Sequence, residues 1–177
     1  MKEVIHMNKT IIKEILSWVL VLIIAIVLAK LANRFVLFKV SVPTGSMEDT
    51  IMIGDKIYTQ KVSYWFKDPE RGDIVVFPFP DDEEKDYIKR IIGLPGETIA
   101  GIDGLVYIDG EPIDEPYVKE KLKKDFGPYT VPENHYFMMG DNRNDSNDSR
   151  YWDNTFLNRD KIMGKALLKY PNFTWMN

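Results

Sequence analysis

The chain has 177 residues, 45% of them hydrophobic, with a net charge of −4. That is room for one ordinary domain plus an appendage, globular in composition, and its acidic balance argues against nucleic-acid binding. It has no cysteine and only two histidines, His6 and His135. Disulfides, thiolate catalysis and cysteine-ligated zinc are excluded, and a multi-histidine metal centre is not expected, so no metal and no cofactor are assigned.

Residues 1–14 are mixed and polar, with Lys2, Lys9 and Lys13. From Ile15 to Ala29 the sequence ILSWVLVLIIAIVLA carries no charge. Ile11 and Ile12 extend it if Lys13 snorkels, bringing it toward the roughly 20 apolar residues that span a bilayer. Trp18 and Lys30 suit the interfaces. A cleaved leader would need small residues at −3 and −1. Ala29 and Ala32 are one residue too far apart for that. A buried core helix is the alternative, but such a helix rarely lacks a polar face. Residues 15–34 therefore read as a retained transmembrane anchor with its juxtamembrane turn. Orientation does not follow from charge, because Lys2, Lys9 and Lys13 face Lys30, Arg34 and Lys39 across the segment.

Residues 35–177 read as a mainly antiparallel β-domain. It holds 18 basic and 25 acidic residues, net −7, and no polybasic membrane patch. RFVLFKVSV is β-branched and aromatic and leads into VPTGSMEDTI. In that stretch Pro43 fixes the chain direction and Gly45 permits close backbone approach, so Ser46 is expected on a turn, presented to solvent or substrate. A plain polar turn between strands fits this stretch equally well. MIGDKIYTQKVSYWF reads as a strand after a Gly54-Asp55 turn. Ile74 to Phe77 is a short apolar strand, and Pro78, Pro80 and the acidic run Asp81 to Glu84 read as a solvated loop. Tyr87 to Ile92 is a strand closed by the turn Gly93-Leu94-Pro95-Gly96. Asp103-Gly104 and Asp109-Gly110 between apolar runs signal two hairpins. Residues from about 104 to 132, proline- and lysine-rich in their second part, read as an extended excursion or small subdomain with little core of its own. His135 to Met139 and Lys165 to Tyr170 are strands, and GDNRNDSNDSR, Gly140 to Arg150, is a polar loop.

A serine hydroxyl needs a base to become a nucleophile. His6 precedes the apolar segment and falls on the wrong side of it. His135 stands in a strand-like run beside Tyr136 and Phe137, where a hydrogen-bonded or solvent-facing histidine is the simpler reading. A lysine can serve if desolvation lowers its pKa from about 10.4 by roughly 3 units. Lys89, within Ile88, Ile91 and Ile92, has the most apolar setting of any lysine past the anchor. Arg90 cannot be the base, since a guanidinium keeps its proton. Strand alternation puts Lys89 and Arg90 on opposite faces. On these grounds either Lys89 points inward as a base, or Lys89 is exposed and Arg90 is paired in the core.

PTGSMEDTI, RGDIVVF, YIKRIIGLPGE and GDNRNDSNDSR, in that order behind one N-terminal anchor, resemble the bacterial type I signal peptidases. The blocks and the anchor cover most of the chain. Only about Gly104 to Pro132 is weakly covered. The resemblance implies a signal-peptidase-type antiparallel β-domain on a single transmembrane helix. It implies a membrane-bound serine endopeptidase that cleaves signal peptides from exported preproteins after small residues at P1 and P3. It implies Ser46 as nucleophile, Lys89 as general base, Thr44 with the Ser46 N–H as oxyanion hole and Ser146 as the residue orienting the lysine. Structural ion pairs map to Arg90 with Asp141 and to Asp148 with Arg150. The implied partners are preproteins and the lipid bilayer, with no nucleic acid. The implied location is the cell membrane, single-pass, N-terminus cytoplasmic and catalytic domain outside. Relatives with a histidine base belong to the eukaryotic-type branch, so Lys89 favours the bacterial one. The chain departs from many members in carrying Asp49 and Ile51 where they have Pro and Leu. Two other classes share some of these features: a self-cleaving repressor-like serine–lysine protease, which would want a DNA-binding module in place of the anchor, and a catalytically silent tethered β-module, against which the intact Ser46, Lys89 and Ser146 speak.

Overall fold

The computed structural model describes residues 2–35 and 37–176, with side chains for 11–31 and 37–176. His6 lies outside the described side chains. Two compact units emerge, residues 1–37 and residues 38–177.

The first unit is one helix, α1, Lys2–Phe35. No proline or glycine interrupts those 34 residues. Ile11–Leu31, 21 residues, is long and apolar enough to cross a membrane. It starts four residues before the expected anchor, so Ile11 and Ile12 are part of the apolar stretch. The helix also runs through Phe35, where the sequence reading began the β-domain.

The second unit is β-structure. Its strands are β1 Leu37–Ser41, β2 Lys56–Gln60, β3 Ile74–Phe79, β4 Asp82–Gly93, β5 Thr98–Ile102, β6 Leu105–Ile108, β7 Glu111–Pro112, β8 Phe126–Thr130, β9 His135–Met139, β10 Leu157–Asn158, β11 Gly164–Tyr170 and β12 Thr174–Trp175. The larger sheet runs β1-β2-β11-β3-β4-β9-β10, with β12 on β11. The smaller runs β7-β6-β5-β8. From β2 onward the pairs are antiparallel.

Both Asp-Gly pairs make the expected hairpins. Asp103 and Gly104 have φ of 50° and 85°, Asp109 and Gly110 of 51° and 88°, the left-handed pair of conformations that matches strand twist in a two-residue turn. Three expectations are corrected. Asp82 to Glu84 are the outer end of β4, joined to β3 by the tight turn Pro80-Asp81, and not a loop. Their side chains are largely solvated, so the arm lacks the one-sided apolar pattern that marks a strand. The strand after Gly54-Asp55 ends at Gln60, and Ser63–Phe66 is a helical turn, α2. There the Tyr64 hydroxyl donates to the Asp73 carboxylate at 2.7 Å and draws the chain inward, while Trp65 and Phe66 stay exposed. Finally, the stretch from Glu111 to Pro132 is not short of core. β8 pairs with β5, and Leu122 and Val131 are buried with Ile92, Ile99, Val106, Ile108, Phe137 and Met139.

That cluster joins the two sheets. A second cluster, with Val42, Met47, Ile51, Ile57, Ile74, Val76 and Ile88, lies under the turn that carries Ser46. A third packs Val75, Phe77, Ile91, Tyr136 and Met138 against Trp152. Alternation along β4 sends Ile88 and Ile91 to different clusters, and fixes Lys89 and Arg90 in the same way.

Candidate active site

The turn after β1 is built from the inside. Met47 and Ile51 are fully buried and pin it to the core. Their apolar side chains occupy one side of a helical turn closed by Ile51 N–H to Met47 C=O at 2.7 Å and Glu48 N–H to Gly45 C=O at 3.0 Å. Val42 ties the base of the loop to Gly54 and Asp55 through two backbone bonds. Asp49, at the position of the departure from Pro, takes φ 76°, a left-handed conformation that aspartate tolerates and proline cannot reach. Ile51 fills its pocket as a branched apolar residue should. Ser46 is therefore held rigidly, and it is buried, 7% exposed, where the sequence suggested a presented side chain.

Lys89 comes from the inner half of β4 and is 3% exposed. Its Nζ lies 2.5 Å from Ser46 Oγ and donates to the Ile88 carbonyl at 3.2 Å. The Tyr87 ring, two residues earlier on the same face, is 5.1 Å from Nζ, and Val75 stands opposite in the ladder. Ile88 and Ile92 belong to the other face, so the apolar company of Lys89 is narrower than the sequence suggested. Burial still dominates. It lowers the lysine from its ordinary 10.5 to about 8, against the upward pull of Asp148 and then Asp141. An ammonium taken out of water loses its hydration, and the nearby carboxylates return only part of it.

Arg90, also 3% exposed, serves the opposite face. Its Nε and Nη2 fork onto Asp141 at 2.9 and 2.6 Å, and Nη1 donates to the Gly72 carbonyl at 2.8 Å. Asp141 also accepts the Thr50 hydroxyl at 2.6 Å. Asp148 pairs with Arg150 through two bonds of 2.8 Å and accepts the Gly140 N–H at 3.0 Å. The loop Gly140 to Arg150 thus folds around two buried carboxylates, and it grips the Ser46 turn. Asn142 donates its side-chain amide to the Gly45 carbonyl at 3.1 Å and its backbone N–H to the Ser46 carbonyl at 3.2 Å.

Thr44 is exposed beside Ser46 and makes no hydrogen bond among the described residues. Ser146 Oγ is buried and also without a partner among them, and a Cβ built on Gly140 would come 2.3 Å from it. Its hydroxyl is next to the Ser46 turn, but the bonds of Lys89 go to Ser46 and Ile88. His135 sits on the far strand pair, bonded to the Glu133 carbonyl at 2.8 Å and paired in register with Asn158.

A cleft of about 810 Å³ opens over the pair. Lys39 to Ser46 form one wall and Lys85 to Lys89 the other, with Val76 beneath and Asp145 and Asn147 at the rim. Sequence reasoning missed three groups of the site's framework. Asn142 was inside a quoted block but had no assigned role. Glu115 and Tyr117 lie in the weakly covered segment, yet Glu115 takes both Nη atoms of Arg143 at 2.6 and 2.5 Å, and the Tyr117 ring stacks on Arg90. No local signal marks such long-range partners. Among the described residues there is no acidic or histidine cluster able to hold a metal ion.

The sequence model of the family described as "Signal peptidase, peptidase S26" matches residues 15–171. A probable signal peptidase I-2 of Synechocystis sp. is 41% identical over 155 residues, 84% of this chain and 70% of the relative. A signal peptidase I of Bacillus licheniformis is 41% identical over 149 residues, 77% of this chain and 78% of the relative. Among solved structures, a signal peptidase I from Enterococcus faecalis V583 shares 38% identity, with 56% of this chain and 97% of that one covered, at a TM-score of 0.49.

Proposed function

The chain belongs to the signal peptidase family, peptidase S26, and on that premise we propose that it is a membrane-bound serine endopeptidase that removes N-terminal signal peptides from exported preproteins, with Ser46 as nucleophile and Lys89 as general base. The observation that carries this is the 2.5 Å approach of Lys89 Nζ to Ser46 Oγ in a buried setting.

The chemistry follows from the protonation of the lysine. While Nζ is neutral, the Ser46 hydroxyl donates to it. As Oγ bonds to the scissile carbonyl carbon, the hydroxyl proton passes to Nζ. Charge builds on the carbonyl oxygen, and the Ser46 N–H and Thr44 hydroxyl, both on the cleft lining, are assigned to meet it. When the tetrahedral species collapses, the C–N bond breaks and Nζ returns its proton to the leaving amine. Water then attacks the acyl-enzyme, Nζ takes a proton from that water, and Ser46 Oγ leaves with a proton restored. Ser146 is assigned to orient Nζ through these exchanges.

Substrate geometry follows from free sheet edges. β1 ends the larger sheet, and along β4 the pairing with β9 covers only the inner end, Arg90 to Gly93. The cleft wall from Lys85 to Lys89 is therefore open on that side. An extended segment of preprotein adds as a strand there. Side chains of a strand alternate, so P1 and P3 point to one wall together, which suits a demand for small residues at both.

α1 holds enzyme and substrate in one plane. A preprotein carrying its own apolar segment meets the site in two dimensions, raising its effective concentration. The test is incubation of the detergent-solubilised protein with a preprotein bearing an A-x-A site. The wild type is expected to release the mature chain and Ser46→Ala to release none. Substantial cleavage by Ser46→Ala would reduce Ser46 to a turn residue.

A further inference from the structure

The segment between β7 and β8 reaches across to the active-site framework at two points. Glu115 binds the buried guanidinium of Arg143 through both carboxylate oxygens, and Arg143 Nε donates to the Gly140 carbonyl at 3.1 Å. Gly140 packs so closely on the Ser46 carbonyl that a Cβ there would come within 2.3 Å of it. Tyr117 donates its hydroxyl to Glu115 at 2.8 Å and lays its ring 3.8 Å from the guanidinium carbon of Arg90. Arg90 forks onto Asp141, Asp141 accepts from Thr50 Oγ1, and the Thr50 N–H closes the turn on the Met47 carbonyl at 3.1 Å.

Two chains of contact therefore run from this segment to the turn that holds Ser46, one ending at its carbonyl and one just beyond Met47. The second also passes through the residue that follows Lys89. Neither Glu115 nor Tyr117 lines the cleft. A guanidinium stacked on a ring and forked by a carboxylate has one orientation open to it, because both contacts need its plane. We propose that Glu115 and Tyr117 are positioning residues for the Ser46–Lys89 pair, a latch from the smaller sheet that sets the distance between Oγ and Nζ. The inference depends on that pair being the catalytic one.

A latch of this kind differs from ordinary packing in what it changes. Loose packing lowers stability and leaves the folded molecules fully active. A released latch leaves substrate binding in the cleft intact and slows the chemical step, because reacting groups misplaced by a fraction of an ångström lose rate steeply. It also couples Tyr117 to Thr50 across Arg90 and Asp141.

The experiment is steady-state cleavage of a signal-peptide substrate by the full chain in detergent, well below each variant's Tm. Tyr117→Leu, Tyr117→Phe, Thr50→Val, the Tyr117→Leu/Thr50→Val double variant and Glu115→Gln are compared, with Ser46→Ala as control. Tyr117→Leu is expected to lower kcat about tenfold with KM within about twofold, and Tyr117→Phe, which keeps the stack, to recover kcat to within about threefold. The double variant is expected to lose clearly less than the product of the two single losses. If Tyr117→Leu does not fold, Glu115→Gln decides, with a severalfold fall in kcat at unchanged KM expected. Wild-type kcat in the folded Tyr117→Leu and Glu115→Gln variants, a loss confined to KM, or losses that multiply without coupling would overturn the latch. Cleavage that persists in Ser46→Ala would instead overturn the dyad itself, so the two failures are distinguishable.

Discussion

Lys89 and Arg90 are neighbours on one strand, both 3% exposed, and they are kept apart by the pleat: one Nζ lies against Ser46, the other side chain is forked onto Asp141. The lysine has a hydroxyl partner and is depressed to about 8, and the arginine is neutralised by a carboxylate. The strand carries two buried cationic residues and gives a carboxylate partner to one and a hydroxyl partner to the other.

That difference predicts a conflict between activity and stability at Lys89. Its folded pKa, about 8, lies below the unfolded value. The unfolded chain therefore binds more protons between about 8 and 10.5, and stability rises with pH across that window. Below it, burying the lysine costs on the order of 3 kcal/mol. Lys89→Met should abolish cleavage and raise Tm near pH 7, with the gain shrinking toward pH 10. An inactive variant with an unchanged or lower Tm at pH 7 would mean that the lysine is not held against its charge.

Gly140→Ala tests the grip of the polar loop on the Ser46 turn. A methyl there meets the Ser46 carbonyl and the Ser146 hydroxyl at 2.3 Å, too close for either to stay. Displacing the turn by about 1 Å should cost on the order of a hundredfold in kcat/KM. Activity within about threefold of wild type would show the turn to be adaptable.

Asp141→Asn removes one charge from a buried pair and keeps its shape. The Arg90 guanidinium then lies uncompensated among buried groups, which typically costs about 3–5 kcal/mol. A large drop in Tm is expected by thermal unfolding. Lys85→Ala, which breaks the exposed pair with Asp82, should change Tm little, since water screens a pair held at the surface.

Orientation is tested separately. We propose that residues 1–14 lie in the cytoplasm and the β-domain outside, so protease added to intact spheroplasts should digest the C-terminal domain. A domain protected until lysis would reverse the assignment.

What could be read ahead of the structure was what is local. Ser46 and Lys89 stand out in short blocks, and the structure brings them within 2.5 Å of each other, while Asp103-Gly104 and Asp109-Gly110 specify their own hairpins. The helix was legible because Ile15 to Ala29 runs without a charge for about four turns. What was not legible depends on partners far away in the chain. Ser63–Phe66 has strand-like residues, but Tyr64 is drawn into a turn by Asp73. Asp82 to Glu84 look like a loop because no core waits on either face of that arm. Glu115 and Tyr117 look like linker residues, and only the folded chain brings them to Arg143 and Arg90, 28 positions along in the case of the Glu115–Arg143 pair. The burial of Ser46 was missed for the same reason: it is set by Met47 and Ile51 fitting a core assembled from β2, β3, β4 and β11.

The most direct test of the dyad is kcat/KM against pH on a soluble signal-peptide substrate in detergent, for the wild type and for His135→Ala. The base must be neutral to act, so activity should rise as pH passes through the depressed value of the lysine, about 8, and His135→Ala should leave that limb in place. An acidic limb near 6, close to an unperturbed imidazole at about 6.5, that disappears in the His135 variant would show that the lysine is not the base.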